Sequence, residues 1–157
     1  MKKALLIASV LFIAVISTAC INNIAVQELN NKAAEYMQKG DYESAMNRLQ
    51  ASIDLDATMY ETHYNLGIAA TNAEKYDIAI EYYEKVYMNE GDPSALYELI
   101  CTCSEANQYQ KALMYLEEMN HPRYERWKLM ESGIIYFRLG HPQRALKYFN
   151  QVIEIQP

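Results

Sequence analysis

The sequence contains little glycine, proline and cysteine, with five, four and three of them among 157 residues. A loop-rich β sandwich needs more turn-forming residues than this, so the composition favours long helices. Three cysteines cannot form a dense disulfide framework. Basic residues are also in deficit, and the net charge of −6 argues against a nucleic-acid partner. Half of the residues (51%) are apolar, which is enough to form the core of about one domain.

The first twenty residues have the features of an export signal. Lys2 and Lys3 precede an apolar run from Ala4 to Ala19, which is shorter than the ~20 residues that a membrane-spanning helix needs. Small residues at positions 17–19 provide a signal-peptidase site ahead of Cys20. The position of Cys20 resembles the lipobox of bacterial lipoproteins, which implies that this cysteine carries palmitate and becomes the mature N-terminus.

Three interpretations of this segment stay open: a lipoprotein signal, an ordinary secretion signal cleaved near Ala19, and an uncleaved anchor. Ser17 departs from the lipobox pattern, which usually has an aliphatic residue there. We adopt the lipoprotein interpretation, with a signal peptide over residues 1–19 and a short tether over 20–25. Ile21 is not the aspartate that retains many lipoproteins at the inner membrane. We therefore expect an outer-membrane protein facing the periplasm in a two-membrane bacterium, and otherwise one on the outer face of the cell membrane.

Four short blocks recur at a nearly constant spacing through the rest of the chain. Each block has six residues and closes on an alanine, and the alanines are separated by 34, 33 and 33 positions. The four alanines are Ala45, Ala79, Ala112 and Ala145. Each block lies between two segments with helical apolar spacing, so the chain reads as a series of helix pairs.

These features resemble the tetratricopeptide repeat (TPR), a helix–turn–helix unit of 34 residues. The resemblance covers residues 26–157, with repeats at about 26–59, 60–93, 94–125 and 126–157. It implies an all-α fold, a right-handed superhelical solenoid of about four repeats. We expect small residues such as Gly133 to face Ala145 of the same repeat. In the third repeat Ile100 takes the small position, so we expect an irregular helix pair there, whose second helix ends early at Asn120.

Several residues have the character of helix ends. We expect Gly40 and Gly140 to adopt the left-handed conformation that ends the first helix of their repeats. Asp92, His121 and His141 each precede a proline, and we expect their side chains to cap the helices that begin there.

No catalytic constellation is evident in the sequence. The three histidines lie far apart in the repeat and have no carboxylate at a metal-ligand spacing. We expect His63 to be a core or groove-lining residue. Cys101 and Cys103 point to opposite sides of a helix, so packing explains them better than redox or metal chemistry. We therefore expect no enzyme activity, no cofactor and no metal.

The TPR resemblance implies that the first helices of the repeats line a concave groove that binds partner segments. The groove lacks the cations with which some family members clamp a C-terminal carboxylate, and offers aromatic and thioether anchors instead. The resemblance therefore implies an adaptor or assembly factor of the cell envelope, which binds a protein or peptide segment with apolar anchors. The expected lining residues are Asn30, Met37, Tyr64, Ile68, Asn72, Tyr97, Cys101, Trp127, Met130 and Phe137.

An alternative function is self-association. TPR arrays usually finish with a polar helix that covers the last repeat, whereas this sequence stops at Pro157, immediately after the second helix of a repeat. We expect an uncovered apolar strip at Phe149, Val152, Ile153 and Ile155. This strip predicts a homodimer contact, unless the chain is a truncated part of a longer array.

Overall fold

The computed structural model describes residues 22–155. Within that range all the regular elements are helical, and none of the helices there is long and apolar enough to cross a membrane. The chain divides into two compact units, with the boundary between Ala73 and Glu74. The expected signal peptide, Cys20 and the start of the tether lie outside the described residues.

The first unit has three helices. Helix α1 runs over residues 22–38, α2 over Tyr42–Leu55 and α3 over Tyr60–Asn72, and α2 packs against α3. The Asp41 carboxylate accepts a hydrogen bond from the Ser44 amide at 3.1 Å, which fixes the start of α2. Buried side chains recur at helical spacing, for example Ala45 and Leu49 on α2.

The second unit continues the same pattern with five more helices, and each packs against the next along the chain. Their ranges are α4 Tyr76–Glu90, α5 Pro93–Glu105, α6 Tyr109–Glu118, α7 Glu125–Arg138 and α8 Pro142–Glu154, with a 3-10 turn at Pro122–Tyr124 between α6 and α7. The largest side chains of the core, including Tyr83, Leu99, Leu116 and Ile135, have no more than 1% of their surface exposed. These residues hold the helix pairs together by apolar burial.

The turn inside each repeat contains one left-handed residue. Gly40 and Gly140 have φ values of +74° and +76°, which confirms the expectation from the sequence. Glu74 and Asn107 occupy the equivalent positions with φ values of +58° and +57°. All four repeats therefore use the same backbone turn, although two of them lack the glycine that adopts it without steric cost.

The third repeat departs from the others in the way that its sequence indicates. Ile100 is fully buried at the position that is small elsewhere. Helix α6 has 10 residues and ends at Glu118, whereas α2, α4 and α8 have 14, 15 and 13. Residues 119–121 are not helical, because Pro122 disfavours a helical conformation at the residue before it. The early end of this second helix is confirmed.

One further contact was not expected from the sequence, and one expected cap is absent. A Cβ atom at Gly133 would collide with the ring of Phe149, 2.7 Å from its Cδ1 atom. The glycine therefore makes room for this ring. His141 makes no capping hydrogen bond with its side chain, because its ring lies beside the Tyr136 ring, with 6.4 Å between the centroids.

The other two expected caps are present. The Asp92 carboxylate accepts a hydrogen bond from the Ser94 amide at 2.9 Å. The His121 Nδ1 atom accepts one from the Arg123 amide at 3.3 Å.

Candidate functional site

Three aromatic rings meet where α5 lies beside the start of α7. The Tyr97 and Trp127 ring centroids are 4.4 Å apart, and those of Tyr97 and Tyr124 are 5.3 Å apart in a stacked arrangement. Tyr124 and Trp127 meet edge to face at 6.1 Å. All three side chains are half-buried. We call these three residues the aromatic cluster.

The helices position the cluster through their buried faces. On α5, Leu96, Leu99 and Ile100 are almost completely buried, so the helical period turns Tyr97 away from the core. Tyr124 ends the 3-10 turn and Trp127 stands in the first turn of α7. Both rings therefore contact the Tyr97 ring, and each of the three side chains is partly exposed.

Polar and charged groups border the cluster. The His121 ring lies 5.8 Å from that of Tyr124, centroid to centroid. The Arg123 guanidinium carbon lies 5.4 Å from the Tyr124 ring centroid, which is the distance of a cation–π contact. One ring of the cluster thus already holds a cation from its own chain.

Three glutamates surround Cys101, one turn beyond Tyr97. Glu98 and Glu105 stand on α5 and Glu131 on α7, and their charges all act on the Cys101 thiol. The Ser104 hydroxyl donates a hydrogen bond to the Glu131 carboxylate at 2.7 Å. We call Glu98, Glu105 and Glu131 the acidic patch. Among residues 22–155, none of its members forms an ion pair.

The electrostatics of this region disfavour added negative charge. Burial raises the pKa of the Glu98 carboxyl, and the charge of Glu105 raises it further. Burial also raises the pKa of the Cys101 thiol to about 12, although a hydrogen bond with Tyr97 lowers this pKa in part. The charge interaction with Cys101, followed by burial, raises the pKa of the Tyr97 phenol to about 12. At neutral pH the thiol and the phenol are uncharged, and the glutamates leave the region negative.

The two cysteines of α5 are poorly suited to redox chemistry. Cys103 is completely buried, and burial raises the pKa of its thiol to about 11. Cys101 is half-buried on a different side of the helix. The thiolate is the reactive form, and both thiols stay protonated at neutral pH. In the described range no three His, Cys, Asp or Glu side chains are placed to hold a metal ion.

The remaining expected lining residues of the second unit are more exposed. Met130 and Phe137 stand on α7 with 40% and 66% of their surface exposed. The structure thus brings Tyr97, Cys101 and Trp127 into one neighbourhood and extends it along α7 by these two apolar side chains.

In the first unit, two of the expected lining residues use their amides inside the fold. The Asn30 amide donates a hydrogen bond to the hydroxyl of the fully buried Thr62 at 2.9 Å. The Asn72 amide donates to the carbonyl of Ile68 at 2.8 Å. Met37, Tyr64 and Ile68 are half-buried. His63, expected in the core or the groove, is buried, and its Nε2 atom lies 2.9 Å from the Ala57 carbonyl oxygen.

On α8, the apolar strip differs from the expected one. Ile153 is 77% exposed, but Val152 is only 5% exposed because it packs inside the unit. Phe149 and Ile155 are half-buried. Leu146, which the sequence analysis did not include, is 55% exposed. The exposed strip therefore consists mainly of Leu146 and Ile153, seven residues apart on one side of the helix.

Comparison with known proteins identifies the repeats. Residues 33–70 match a family model described as TPR repeat, and residues 60–92 and 129–157 match models described as tetratricopeptide repeat. The chain carries TPR repeats. A TPR repeat-containing protein of Schizosaccharomyces pombe is 28% identical to it over 101 residues, which are 64% of this chain and 11% of the relative. The chain thus spans about a tenth of the length of this curated relative.

Solved TPR-like structures have the same fold. A crystal structure of MamA is 25% identical, covers 87% of this chain and 74% of its own, and has a TM-score of 0.74. MamA from Desulfovibrio magneticus is 19% identical over 83% and 75% of the two chains, with a TM-score of 0.73. A tetratricopeptide repeat protein from Parabacteroides merdae is 21% identical over 84% and 54%, also at 0.73. The all-α TPR fold is confirmed, and this fold is one that serves protein–protein interaction or scaffolding.

Several members of this site were not expected from the sequence. Tyr124 lies outside the first helices of the TPR pattern, and His121 was interpreted only as a cap. The spacing of Tyr124 and Trp127, three residues apart, is a signal that could have found the pair, because such residues share a helix face. Glu98 and Glu105 lie three and four residues from Cys101 on α5, a spacing that could have placed them beside it, whereas nothing local in the sequence shows that Glu131 of α7 approaches Cys101.

Proposed function

We propose that this TPR protein is an adaptor or assembly factor of the bacterial cell envelope, which binds a segment of a partner protein on the aromatic cluster. The observation that carries the proposal is the meeting of Tyr97, Tyr124 and Trp127 at 4.4 to 6.1 Å, with all three side chains partly exposed. Rigid tyrosine and tryptophan rings lose little conformational entropy on binding and dominate the energetics of many interfaces. TPR scaffold proteins are generally non-enzymatic, and the proposal assigns no catalytic role.

The chemistry of the surroundings fits a partner segment with apolar anchors. Met130 and Phe137 continue the apolar surface along α7, and the uncharged thiol of Cys101 lies next to Tyr97. A flexible thioether and a neutral thiol adapt to different apolar side chains. A partner would bury an aromatic or aliphatic side chain against the cluster and lay neighbouring residues along α7.

A cross-linked pull-down from detergent-solubilised envelopes tests the binding site. We compare the wild type with Tyr97→Ala/Trp127→Leu and with a control, Met88→Ala/Met114→Ala, which truncates side chains that are 73% and 48% exposed on α4 and α6. Circular dichroism and urea unfolding establish that all three are folded. We expect the partner to be lost only from the aromatic variant. A partner that this variant retains would contradict the proposed site.

The location in the envelope is a separate part of the proposal. It is supported by the sequence of residues 1–20, with the positive start, the apolar run and Cys20. Metabolic labelling with a palmitate analogue, followed by membrane fractionation, tests it. We expect the label in the wild type and its absence from Cys20→Ser. An unlabelled wild type, or a label that persists in Cys20→Ser, would contradict lipidation at this residue.

Self-association is a second candidate, favoured by the exposure of Leu146 and Ile153 on α8. The same helix carries Arg144 and Lys147, while the acidic patch lies on α5 and α7. Charge complementarity therefore favours a second copy of this chain as the occupant of the α8 strip. Light scattering of the wild type and Ile153→Asp tests it. A wild type that is monomeric at high micromolar concentration, and unchanged by the substitution, would exclude this candidate.

A further inference from the structure

We propose that the partner segment is basic, with lysine or arginine residues on the side of its apolar anchor that faces the acidic patch when the anchor contacts the aromatic cluster. This inference rests on the proposed function, because it names the chemistry of the occupant of the same site. It is carried by the position of the acidic patch beside the cluster and by the half-exposed rings of Tyr97 and Trp127, over which no cation of residues 22–155 lies.

Among the described residues, the glutamates of the acidic patch have no lysine or arginine as an ion-pair partner, unlike three other glutamates. Glu81 and Glu84 form ion pairs of 2.6 Å with Lys85 and Lys111, and Glu28 forms one with Lys32. Glu98, Glu105 and Glu131 have no such partner within residues 22–155. Their mutual repulsion, in a region where Glu98 is half-buried, is relieved when positive charge is supplied from outside.

The aromatic cluster is suited to cations as well as to apolar groups. Tyr124 already has the Arg123 guanidinium over its ring at 5.4 Å. In the part of the chain that the structure describes, no cation lies over Tyr97 or Trp127. Tryptophan gives the strongest cation–π contacts of the aromatic side chains. A lysine or arginine beside the anchor can therefore contact a ring face and a carboxylate together.

The arrangement of the carboxylates favours a peptide segment over a metal ion. No group of three ligands within residues 22–155 is placed to hold a metal. Glu98 and Glu105 are seven residues apart on α5, which corresponds to about 10 Å along a helix. An extended chain advances ~3.3 Å per residue, so basic residues about three positions apart match this separation.

The fluorescence of Trp127 provides the test, because it is the only tryptophan of the chain. We titrate the purified full chain with three 12-residue peptides that lack tryptophan (a length of about 40 Å when extended). They share the same phenylalanine and leucine positions and carry lysine, glutamine or glutamate at the others. We expect the lysine peptide to bind about tenfold tighter than the glutamine peptide, and the glutamate peptide to bind most weakly.

Two charge variants separate a local effect from a general one. The triple variant Glu98→Gln/Glu105→Gln/Glu131→Gln should bind the lysine and glutamine peptides equally. The control Glu61→Gln/Glu90→Gln/Glu117→Gln removes the same net charge from exposed positions and should keep the preference for lysine. A higher salt concentration should lower the affinity of the lysine peptide only, because salt screens its charge interaction with the acidic patch.

The outcomes distinguish this inference from the proposed function. Glutamine and lysine peptides that bind equally tightly to the wild type would overturn the inference and leave the cluster as a binding site. A failure of all three peptides to change the Trp127 emission would overturn the inference and count against the cluster itself. A Trp127 emission that depends on protein concentration without peptide, and loses this dependence in Lys147→Glu, would overturn it in favour of a second copy.

Discussion

Replacement of Glu74 by glycine should stabilise the protein, because Glu74 has a left-handed backbone at φ +58°. A side chain in this conformation costs roughly 1–2 kcal/mol. Glycine removes that cost but adds about 0.4–1 kcal/mol of conformational freedom to the unfolded chain. The net expectation for Glu74→Gly is a gain of about 0.5–1 kcal/mol in the free energy of unfolding. For Asn107→Gly we expect a smaller gain, because asparagine tolerates the left-handed region better than glutamate.

The reverse change is expected at the glycines of the equivalent turns. A Cβ atom at Gly40 or Gly140 would meet no heavy atom within 4 Å, so alanine there tests the backbone conformation without a steric clash. We expect Gly40→Ala and Gly140→Ala to lower the free energy of unfolding by about 1 kcal/mol each. Urea unfolding followed by far-UV circular dichroism measures all four variants. Glu74→Ala is the control and should be neutral, because it keeps Cβ and removes only the exposed part of the side chain.

Either of two results would show that the left-handed backbone at these turns is not strained. The first is a Glu74→Gly variant that is less stable than the wild type while Glu74→Ala is neutral. The second is a Gly40→Ala variant with unchanged stability, since this would show that the residue is free to leave the left-handed region.

Three further predictions concern single side chains. Burial raises the pKa of the Cys101 thiol to about 12, so at pH 8 its thiolate fraction is about two-thousandfold below that of free cysteine. The higher nucleophilicity of a more basic thiolate offsets part of this, and Cys101 should react with iodoacetamide about a hundredfold more slowly than free cysteine. Peptide mass spectrometry measures the rate, and a rate like that of free cysteine would contradict this pKa. Thr62→Val should lower the free energy of unfolding by about 1–2 kcal/mol, since it leaves the Asn30 amide without its partner, while Thr62→Ser should be tolerated; equal losses in both would show that packing decides. Because the pKa of Glu98 is raised in the folded state, its contribution to stability is present at low pH and lost as the pH rises through the raised value. Glu98→Gln should therefore stabilise the protein at pH 7 by about a few tenths of a kcal/mol, given partial solvent screening, and this difference should vanish as the pH falls below the ordinary value of 4.5; a difference independent of pH would refute the electrostatic cause.

The repeat architecture could be predicted from the sequence because its signals are local. The alanines at a spacing of 33 to 34 residues mark the second helices, and the structure has a helix beginning shortly before each of them. The early end of α6 follows from the Asn-His-Pro sequence at 120–122, which acts on the backbone directly. The left-handed Gly40 and Gly140 follow for the same reason, since only the local chain decides their conformation.

The contacts between the residues of the site were harder to predict from the sequence, because they depend on how successive helices pack. Tyr97 and Trp127 could be assigned to a binding surface by repeat phase. Their contact with each other depends on the angle between α5 and α7. Asn30 could be assigned to the same surface, but the sequence does not show that its amide donates a hydrogen bond to Thr62 on another helix. The left-handed Glu74 was also missed, since glutamate carries no local signal for that conformation.

The shortness of α6 has a consequence for how such a surface can arise. The 3-10 turn that supplies Tyr124 occupies the stretch that a second helix of ordinary length would extend into. A third repeat of regular length would thus have no ring at this place. In a repeat array, the loss of helical residues in one unit can in this way add a recognition group to its neighbour, and diversity between related arrays then comes from changes in repeat length as well as from substitutions on the exposed helix faces.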